Sequence, residues 1–261
     1  MSAAPQSDAA RQFRALHVPG NPLILFNVWD AGSAKAVAAA GSKAIGTGSW
    51  SVAAAQGYAD GEAIPRALAI ANIERIVAAV QLPVTIDLEG GYGRSSDAVG
   101  ETVGLAAIAG AVGCNLEDRV IGGSGLYGME EQAARLAAAR TAARDIFINA
   151  RIDLFLQAPA NEHGDGLLEA ALERGRAYAA AGADGLFVPG LGDEALIERF
   201  CREAPLPVNI MVWHHTPPLR RLAELGVARI SHAGAPYRLA MEFLEERART
   251  ALSLAGEASS A

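Results

Sequence analysis

Short apolar runs, many of them β-branched, alternate along the chain with longer Ala-rich segments that have the spacing of amphipathic helices. A short apolar run bounded by turn-forming residues predicts a buried strand, and a longer segment with helical periodicity predicts a helix. The eight predicted strands are 23–28, 44–48, 83–88, 113–116, 146–150, 185–188, 207–212 and 227–230. The eight predicted helices are 33–40, 64–80, 96–112, 130–144, 167–181, 193–203, 217–225 and 236–251.

Strict alternation of strand and helix predicts a parallel sheet with helical crossovers. Eight such units in about 230 residues match the size of a (β/α)8 TIM barrel, which would form a single domain. A doubly wound open sheet is the alternative. We assign residues 11–251 to the barrel and expect flexible tails over 1–10 and 252–261. The last helix is long and amphipathic, which favours packing against a partner subunit.

Composition and charge exclude several classes of protein. Hydrophobic residues make up 51% and charged residues 20% of the chain, which provides a large core and excludes wholesale disorder. The net charge is -7 and the basic residues form no cluster, so nucleic acid is not an expected partner. Cys114 and Cys201 are far apart and fit a reducing cytoplasm. The first residues do not resemble a signal peptide, and we expect no membrane association.

Acidic side chains gather where the third and fourth predicted strands end, and a basic one ends the fifth. Asp87 and Glu89 are two positions apart at the end of predicted strand 83–88 and are expected to share a face, whereas Glu117 and Arg151 directly follow the next two predicted strands. Chemistry in a barrel occurs at these carboxyl ends. Three carboxylates at one barrel mouth repel one another unless a cation is bound between them. Mg²⁺ is suited to this role, because it binds oxygen ligands, keeps several waters and needs few direct carboxylates. Each acid alone also fits an ordinary solvated or paired side chain, but their alignment favours a metal site.

The sequence around these strand ends resembles that of the isocitrate lyase/phosphoenolpyruvate mutase superfamily. The superfamily patterns Asp-x-Asp/Glu-x-Gly-Tyr/Phe-Gly, Gly-x-x-x-Glu-Asp-Lys/Arg and Ala-Arg-x-Asp are similar to residues 87–93, 113–119 and 150–153, within a likeness that runs over roughly 20–240. The resemblance implies a (β/α)8 barrel whose last helix is often exchanged between subunits, as a homodimer or homotetramer. It also implies Mg²⁺ as cofactor and the cleavage or formation of a C–C or P–C bond next to an α-carboxylate.

The resemblance assigns roles to the residues around the predicted metal. Asp87 resembles the direct Mg²⁺ ligand, and Glu89 and Glu117 resemble acids that hold the metal through water. Arg151 resembles the catalytic cation that grips the carboxylate or oxyanion of the substrate, and its planar guanidinium suits a carboxylate partner. Glu117 is also predicted to be catalytic, as one of the inward acids Asp87, Glu89 and Glu117 beside Arg151.

Further predicted site residues lie in the loops after the second and third strands. The backbone amides of Ser49 and Trp50 resemble the pair that holds the substrate carboxylate or the developing enolate oxygen. Asp60 resembles a catalytic acid that approaches the metal or the reacting group. Gly90 and Gly91 are expected to bind substrate, since residues without a side chain permit a close approach to the backbone.

The predicted function is Mg²⁺-dependent cleavage of a C–C bond in a small 2-oxo or 2-hydroxy carboxylic acid, through a metal-stabilised enolate. Loop 120–128 is short and Gly-rich, and it lacks the Lys-Lys-Cys-Gly-His sequence of isocitrate and methylisocitrate lyases. Two alternatives therefore stay open. One is P–C chemistry, as in a phosphonopyruvate hydrolase or phosphoenolpyruvate mutase, and the other is a carboxylate-binding barrel without catalysis.

Overall fold

The eight predicted strands form one parallel sheet that closes on itself. A computed structural model describes residues 8–258, and the strand order in its sheet is β1-β8-β7-β6-β5-β4-β3-β2. Val28 closes the circle between the first and second strands, because its N–H donates to the Gly46 carbonyl (2.9 Å) and its carbonyl accepts from the Gly48 N–H (3.2 Å). The strands are β1 (Leu23–Leu25), β2 (Ile45–Gly46), β3 (Val84–Asp87), β4 (Gly113–Glu117), β5 (Phe147–Arg151), β6 (Gly185–Phe187), β7 (Val208–Met211) and β8 (Arg229–Ser231). The TIM-barrel prediction is confirmed, and the open-sheet alternative is wrong.

All eight predicted helices are present in residues 8–258, which also contain three short helices that were not predicted. The unpredicted helices have only about one to two turns, which is too short for a clear periodic signal, and they are α1 (Asp8–Ala15), α3 (Ser49–Ala55) and α7 (Leu154–Gln157). A 3₁₀ turn, Ala160–Glu162, follows α7. The α-helices are α1 (Asp8–Ala15), α2 (Ala31–Ala39), α3 (Ser49–Ala55), α4 (Arg66–Ala79), α5 (Ser96–Ile108), α6 (Met129–Ala142), α7 (Leu154–Gln157), α8 (Asp165–Ala180), α9 (Glu194–Glu203), α10 (Leu219–Glu224) and α11 (Ala235–Ala258).

Helix α1 covers the amino-terminal end of the barrel. The Phe13 ring is fully buried and meets the Phe147 ring edge-on at 5.5 Å, while His17 stacks on Phe147 at 4.1 Å. The sequence prediction placed residues 8–10 in a flexible tail, but the structure shows that they form the first residues of helix α1. Residues 252–258 continue α11, and the remaining predicted tail positions lie outside the described residues. With this end covered, the opposite end of the barrel is the one available for a site.

Side chains alternate between the two faces of the barrel wall, as the pleat of a strand requires. Outward residues such as Ile86 and Cys114 join the apolar core between the sheet and the helices. Inward residues below the mouth are polar: the Asn115 Oδ1 accepts from Asn149 Nδ2 (3.0 Å) and from Arg229 Nη2 (3.1 Å). The barrel interior beneath the carboxyl ends of the strands thus contains buried polar side chains that are partly joined by hydrogen bonds, whereas Nε and Nη1 of Arg229 have no partner among the described residues.

Helix α11 and the outer face of β1 both expose apolar side chains. Phe243 on α11 is 65% exposed, and Leu239 and Leu244 of the same helix are also exposed. On β1 and directly after it, Ile24 and Phe26 are 45% and 43% exposed, although wall residues of a barrel are normally covered by a helix. In the part of the chain that the structure describes, no helix combines the length and apolar character needed to cross a membrane.

Candidate active site

Asp87 ends β3 at the mouth of the barrel and is held from the second strand. Its backbone N–H donates to Thr47 Oγ1 (3.0 Å). One carboxylate oxygen, Oδ2, accepts from the Ser49 hydroxyl (3.0 Å) and from the Ser49 amide (3.3 Å). The other, Oδ1, is buried and has no hydrogen-bond partner among the described residues. Asp87 therefore presents one fixed and one available oxygen.

Glu89 lies close to Asp87, but not for the reason that the sequence suggested. Strand β3 ends at Asp87, and Glu89 adopts the left-handed conformation (φ 51°), so the expected alternation along one strand face is wrong. Burial, followed by the charges of the neighbouring carboxylates of Asp87 and Asp60, raises the pKa of Glu89 to about 7. Its Oε2 accepts from the Glu62 amide (2.8 Å), whereas Oε1 is buried and has no partner in the described chain.

Glu117 and Arg151 are paired across neighbouring strands. They are register partners on β4 and β5, and Arg151 Nη1 lies 2.7 Å from Glu117 Oε2. Burial raises the pKa of Glu117 although Arg151 acts to lower it. Arg151 also donates to Asp153 from Nε (2.6 Å) and from Nη2 (2.9 Å). Burial acts to lower the pKa of Arg151, but these carboxylates outweigh it and raise the pKa, so the guanidinium is a fixed cation.

Asp118 supports the Glu117–Arg151 pair through Asp153, and it was not identified as a site residue from the sequence. Its Oδ1 accepts from the Asp153 backbone N–H (2.9 Å). Its Oδ2 accepts from the Tyr178 hydroxyl (2.8 Å) and from Arg174 Nη1 (3.0 Å). Asp118 is fully buried, so these partners satisfy a carboxylate that would otherwise be costly. The arrangement fixes Asp153 and, through it, the orientation of Arg151.

The remaining predicted residues lie around the same mouth. Asp60 is at the exposed rim, and partial desolvation followed by the charge of Asp87 raises the pKa of its carboxyl. Trp50 is the second residue of α3, and its ring meets Tyr237 edge-on at 5.8 Å. Gly90 and Gly91 are both buried. The participation of all four in substrate binding or catalysis stays a prediction.

Arg135 on α6 organises the loop that carries Glu89 and was also missed. It is 2% exposed and donates to the carbonyls of Gly93 (2.9 Å), Arg94 (2.5 Å) and Gly90. A signal exists in the sequence, because Arg135 falls on the buried face of α6 beside Leu136 and an arginine there requires partners. Its partners could not be predicted, since backbone carbonyls of a distant loop have no sequence signature.

The residues present fit a hard divalent cation. The carboxylate oxygens Asp87 Oδ1 and Glu89 Oε1 are buried acceptors that receive no hydrogen bond from the described residues, and oxygen ligands suit Mg²⁺. Within residues 8–258, no three Asp, Glu, His or Cys side chains are close enough to bind one ion directly. Mg²⁺ commonly keeps several waters and uses one or two carboxylates, so this arrangement suits one direct ligand and others that act through water.

Comparison with known proteins identifies the family. The family model described as phosphoenolpyruvate phosphomutase matches residues 13–252. A crystal structure of a candidate phosphonomutase from Burkholderia cenocepacia J2315 is 54% identical and covers 94% of this chain and 98% of that one, with a TM-score of 0.91. The 2-methylisocitrate lyase of Salmonella typhimurium is 33% identical over 217 residues, which are 78% of this chain and 71% of that protein. The oxaloacetate decarboxylase of Chromohalobacter salexigens is 30% identical over 255 residues, 93% of this chain and 85% of that protein. The chain therefore belongs to the phosphoenolpyruvate phosphomutase family, within a superfamily of lyases and mutases, and the resemblance in its sequence motifs is confirmed.

Proposed function

We propose that the protein is a Mg²⁺-dependent lyase that cleaves a C–C bond of a small 2-oxo or 2-hydroxy carboxylic acid. The observation that carries the proposal is the pair of available, buried oxygens on Asp87 and Glu89 beside the fixed guanidinium of Arg151. The barrel mouth thus contains both carboxylates that can bind a cation and a guanidinium that can bind an anion. A carboxylate substrate that chelates the metal requires both kinds of group. The relatives named as lyases and decarboxylases support the same class of reaction.

Asp87 would hold Mg²⁺ directly, and Glu89 and Glu117 would hold it through water. When bound, the ion supplies Lewis-acid stabilisation for negative charge that develops on the 2-oxygen of the substrate. The unpaired buried oxygens of Asp87 and Glu89 support this assignment, because a buried acceptor without a donor is costly unless a ligand satisfies it.

Arg151 would bind the carboxylate of the substrate. A guanidinium has five N–H donors. Asp153 accepts the N–H of Nε and one N–H of Nη2, and Glu117 Oε2 forms an ion pair with Nη1 at 2.7 Å, so donors remain on both terminal nitrogens. These donors can bind the oxygens of a carboxylate, and the ion pairs hold the guanidinium in place before substrate binds.

Asp60 and the start of α3 would complete the reaction site. The raised pKa of Asp60 suits an acid that delivers a proton to the carbon released by bond cleavage. The backbone amides of Ser49 and Trp50 would receive the substrate carboxylate or enolate oxygen. In the structure the Ser49 amide donates to Asp87, so substrate would replace that long contact of 3.3 Å.

A substrate panel tests the reaction class. Oxaloacetate, alkylated malates and phosphonopyruvate would be incubated with the protein and Mg²⁺, and the products followed by ¹H and ³¹P NMR. We expect C–C cleavage, with loss of turnover in Asp60→Asn and full activity in a control with the exposed acid Glu130 changed to Gln. Phosphate from phosphonopyruvate would instead favour P–C chemistry, which the similarity to a candidate phosphonomutase also supports. Binding of oxalate with Mg²⁺ without turnover of any compound would favour a non-catalytic barrel.

We also propose that the protein is a homodimer or homotetramer in which α11 packs on a neighbouring subunit. The exposed apolar side chains of α11, together with the exposed Ile24 on β1 and Phe26 directly after it, support an exchange of this helix. Light scattering after gel filtration should give a dimer or tetramer, and Phe243→Glu should shift it towards monomer while Glu246→Gln leaves it unchanged. A monomeric wild-type protein would contradict the proposal.

The expected location stays the cytoplasm, as both cysteines are free.

A further inference from the structure

Two loops at the mouth are joined by a reciprocal pair of hydrogen bonds. Loop 2 (residues 56–65) follows α3, and loop 3 (residues 88–95) follows β3. The backbone N–H of Glu62 donates to Glu89 Oε2 (2.8 Å), and the backbone N–H of Tyr92 donates to Glu62 Oε1 (2.7 Å). We call Glu62, Glu89 and Tyr92 the carboxylate clasp. Each glutamate thus accepts an N–H from the other loop.

The clasp coincides with unusual backbone geometry. Four non-glycine residues in the described part of the chain have a positive φ, and three of them are Glu62 (59°), Glu89 (51°) and Tyr92 (58°). A left-handed conformation is unfavourable for residues with a Cβ and persists where surrounding contacts impose it. The two clasp hydrogen bonds are contacts of this kind, and they join the same residues that carry the strain.

Gly90 leaves room for the Glu62 carboxylate at the centre of the clasp. A Cβ at Gly90 would lie 3.0 Å from Glu62 Oε1 and 3.0 Å from Ile121 Cγ1, and 3.8 Å from Arg135 Nη2. The Glu62 carboxylate is therefore inserted against the backbone of loop 3, with the buried Arg135 guanidinium on the same side. The position of the glycine is explained by this close approach.

We propose that Glu62 is a positioning residue that fixes the carboxylate of Glu89 for the metal site. Glu89 Oε2 is occupied by the Glu62 amide, so rotation of the carboxylate is restricted and Oε1 stays available. The Glu62 side chain holds the Tyr92 amide and keeps loop 3 in the turn that presents Glu89. This inference rests on the proposed Mg²⁺ function. It adds a residue that contacts neither metal nor substrate and acts through Glu89.

Three substitutions separate the side-chain hydrogen bond from backbone strain. Glu62→Gln keeps a carbonyl oxygen for the Tyr92 amide, Glu62→Ala removes the acceptor, and Glu62→Gly removes it while relieving the positive φ. Two readouts follow each variant: Mg²⁺ affinity by calorimetry in the presence of oxalate, and hydrogen exchange of peptides that cover residues 88–94 in the metal-free protein. All variants are measured well below the lowest melting temperature among them. Glu101→Gln, a change at an exposed side chain, is the control.

We expect Glu62→Ala and Glu62→Gly to weaken Mg²⁺ binding by about 10-fold or more, the usual effect of removing a partner of a metal ligand. Glu62→Gln should stay within about threefold of wild type. Exchange at 88–94 should accelerate in the Ala and Gly variants only. Unchanged affinity and exchange in Glu62→Ala would overturn the inference. Wild-type affinity in Glu62→Gly, or a loss in Glu62→Gln equal to that in Glu62→Ala, would also overturn it. If wild type binds no Mg²⁺ with oxalate, the proposed function fails, and the exchange measurement alone decides whether the clasp exists.

Discussion

Glu89 should make the metal-free protein less stable as the pH rises, and Glu89→Gln should remove that effect. Burial and the neighbouring Asp87 and Asp60 raise the pKa of Glu89 in the folded chain. An acid with a raised pKa binds its proton more tightly when folded. Its contribution to stability is therefore complete at pH values below the unfolded pKa and is lost as the pH rises through the folded pKa. Gln has nearly the same shape, keeps an acceptor for the Glu62 amide and carries no charge.

The magnitude follows from the two pKa values. The folded pKa of about 7 exceeds the ordinary value of 4.5 by about 2.5. One pKa unit corresponds to about 1.4 kcal/mol, so wild type should lose about 3 kcal/mol relative to Glu89→Gln between pH 4.5 and 7.5. Saturating Mg²⁺ should abolish most of this loss, because the ion would favour the charged carboxylate.

Urea denaturation of both proteins at several pH values, with and without Mg²⁺, measures the effect. The difference between the two proteins isolates Glu89 from His17, whose pKa is lowered to about 3 mainly by burial and whose contribution to stability has the opposite pH trend. If the free energies of unfolding of wild type and Glu89→Gln without metal changed with pH in parallel, the reasoning would be refuted. Such a result would mean that the pKa of Glu89 is not raised in the folded protein.

Two further predictions concern the support of the site and the floor of the barrel. Arg135→Met should cost about 2–4 kcal/mol in urea unfolding, because carbonyls in residues 90–94 lose a buried charged donor, and unchanged stability would contradict the assigned contacts. Gly113→Ala should cost about 1–3 kcal/mol by overpacking, since the new Cβ would lie 2.6 Å from the Phe13 ring and 2.9 Å from Thr85 Oγ1. A wild-type melting temperature for Gly113→Ala would show that α1 does not pack into the barrel end as described.

The barrel could be predicted from the sequence because its signals are local and repeated. Apolar runs and helical periodicity predicted the order of the eight units, and glycines such as Gly41 and Gly182 have positive φ values (93° and 101°) that suit the ends of helices. The pairing of Glu117 with Arg151 follows from strand ends in neighbouring units. These inferences need only the chain order and the geometry of a parallel sheet.

The support of the site could not be predicted, because it depends on contacts between distant loops and on backbone atoms. Glu89 is near Asp87 through a left-handed turn and a hydrogen bond from loop 2, and not through the strand alternation that the sequence suggested. Glu62 and Arg135 act mainly on N–H and carbonyl groups, which every residue possesses. Asp118 is adjacent to Glu117 in sequence, but its partners Tyr178 and Arg174 lie on α8.

The central claim is that Asp87 seats a divalent cation at the barrel mouth. Calorimetric titration of Mg²⁺ in the presence of oxalate, on wild type and Asp87→Asn, tests it most directly, with the exposed Asp97→Asn as matched control. The account predicts that wild type and Asp97→Asn bind the ion and that Asp87→Asn, correctly folded by circular dichroism, loses about 100-fold or more in affinity. Equal Mg²⁺ affinity in wild type and Asp87→Asn would contradict it.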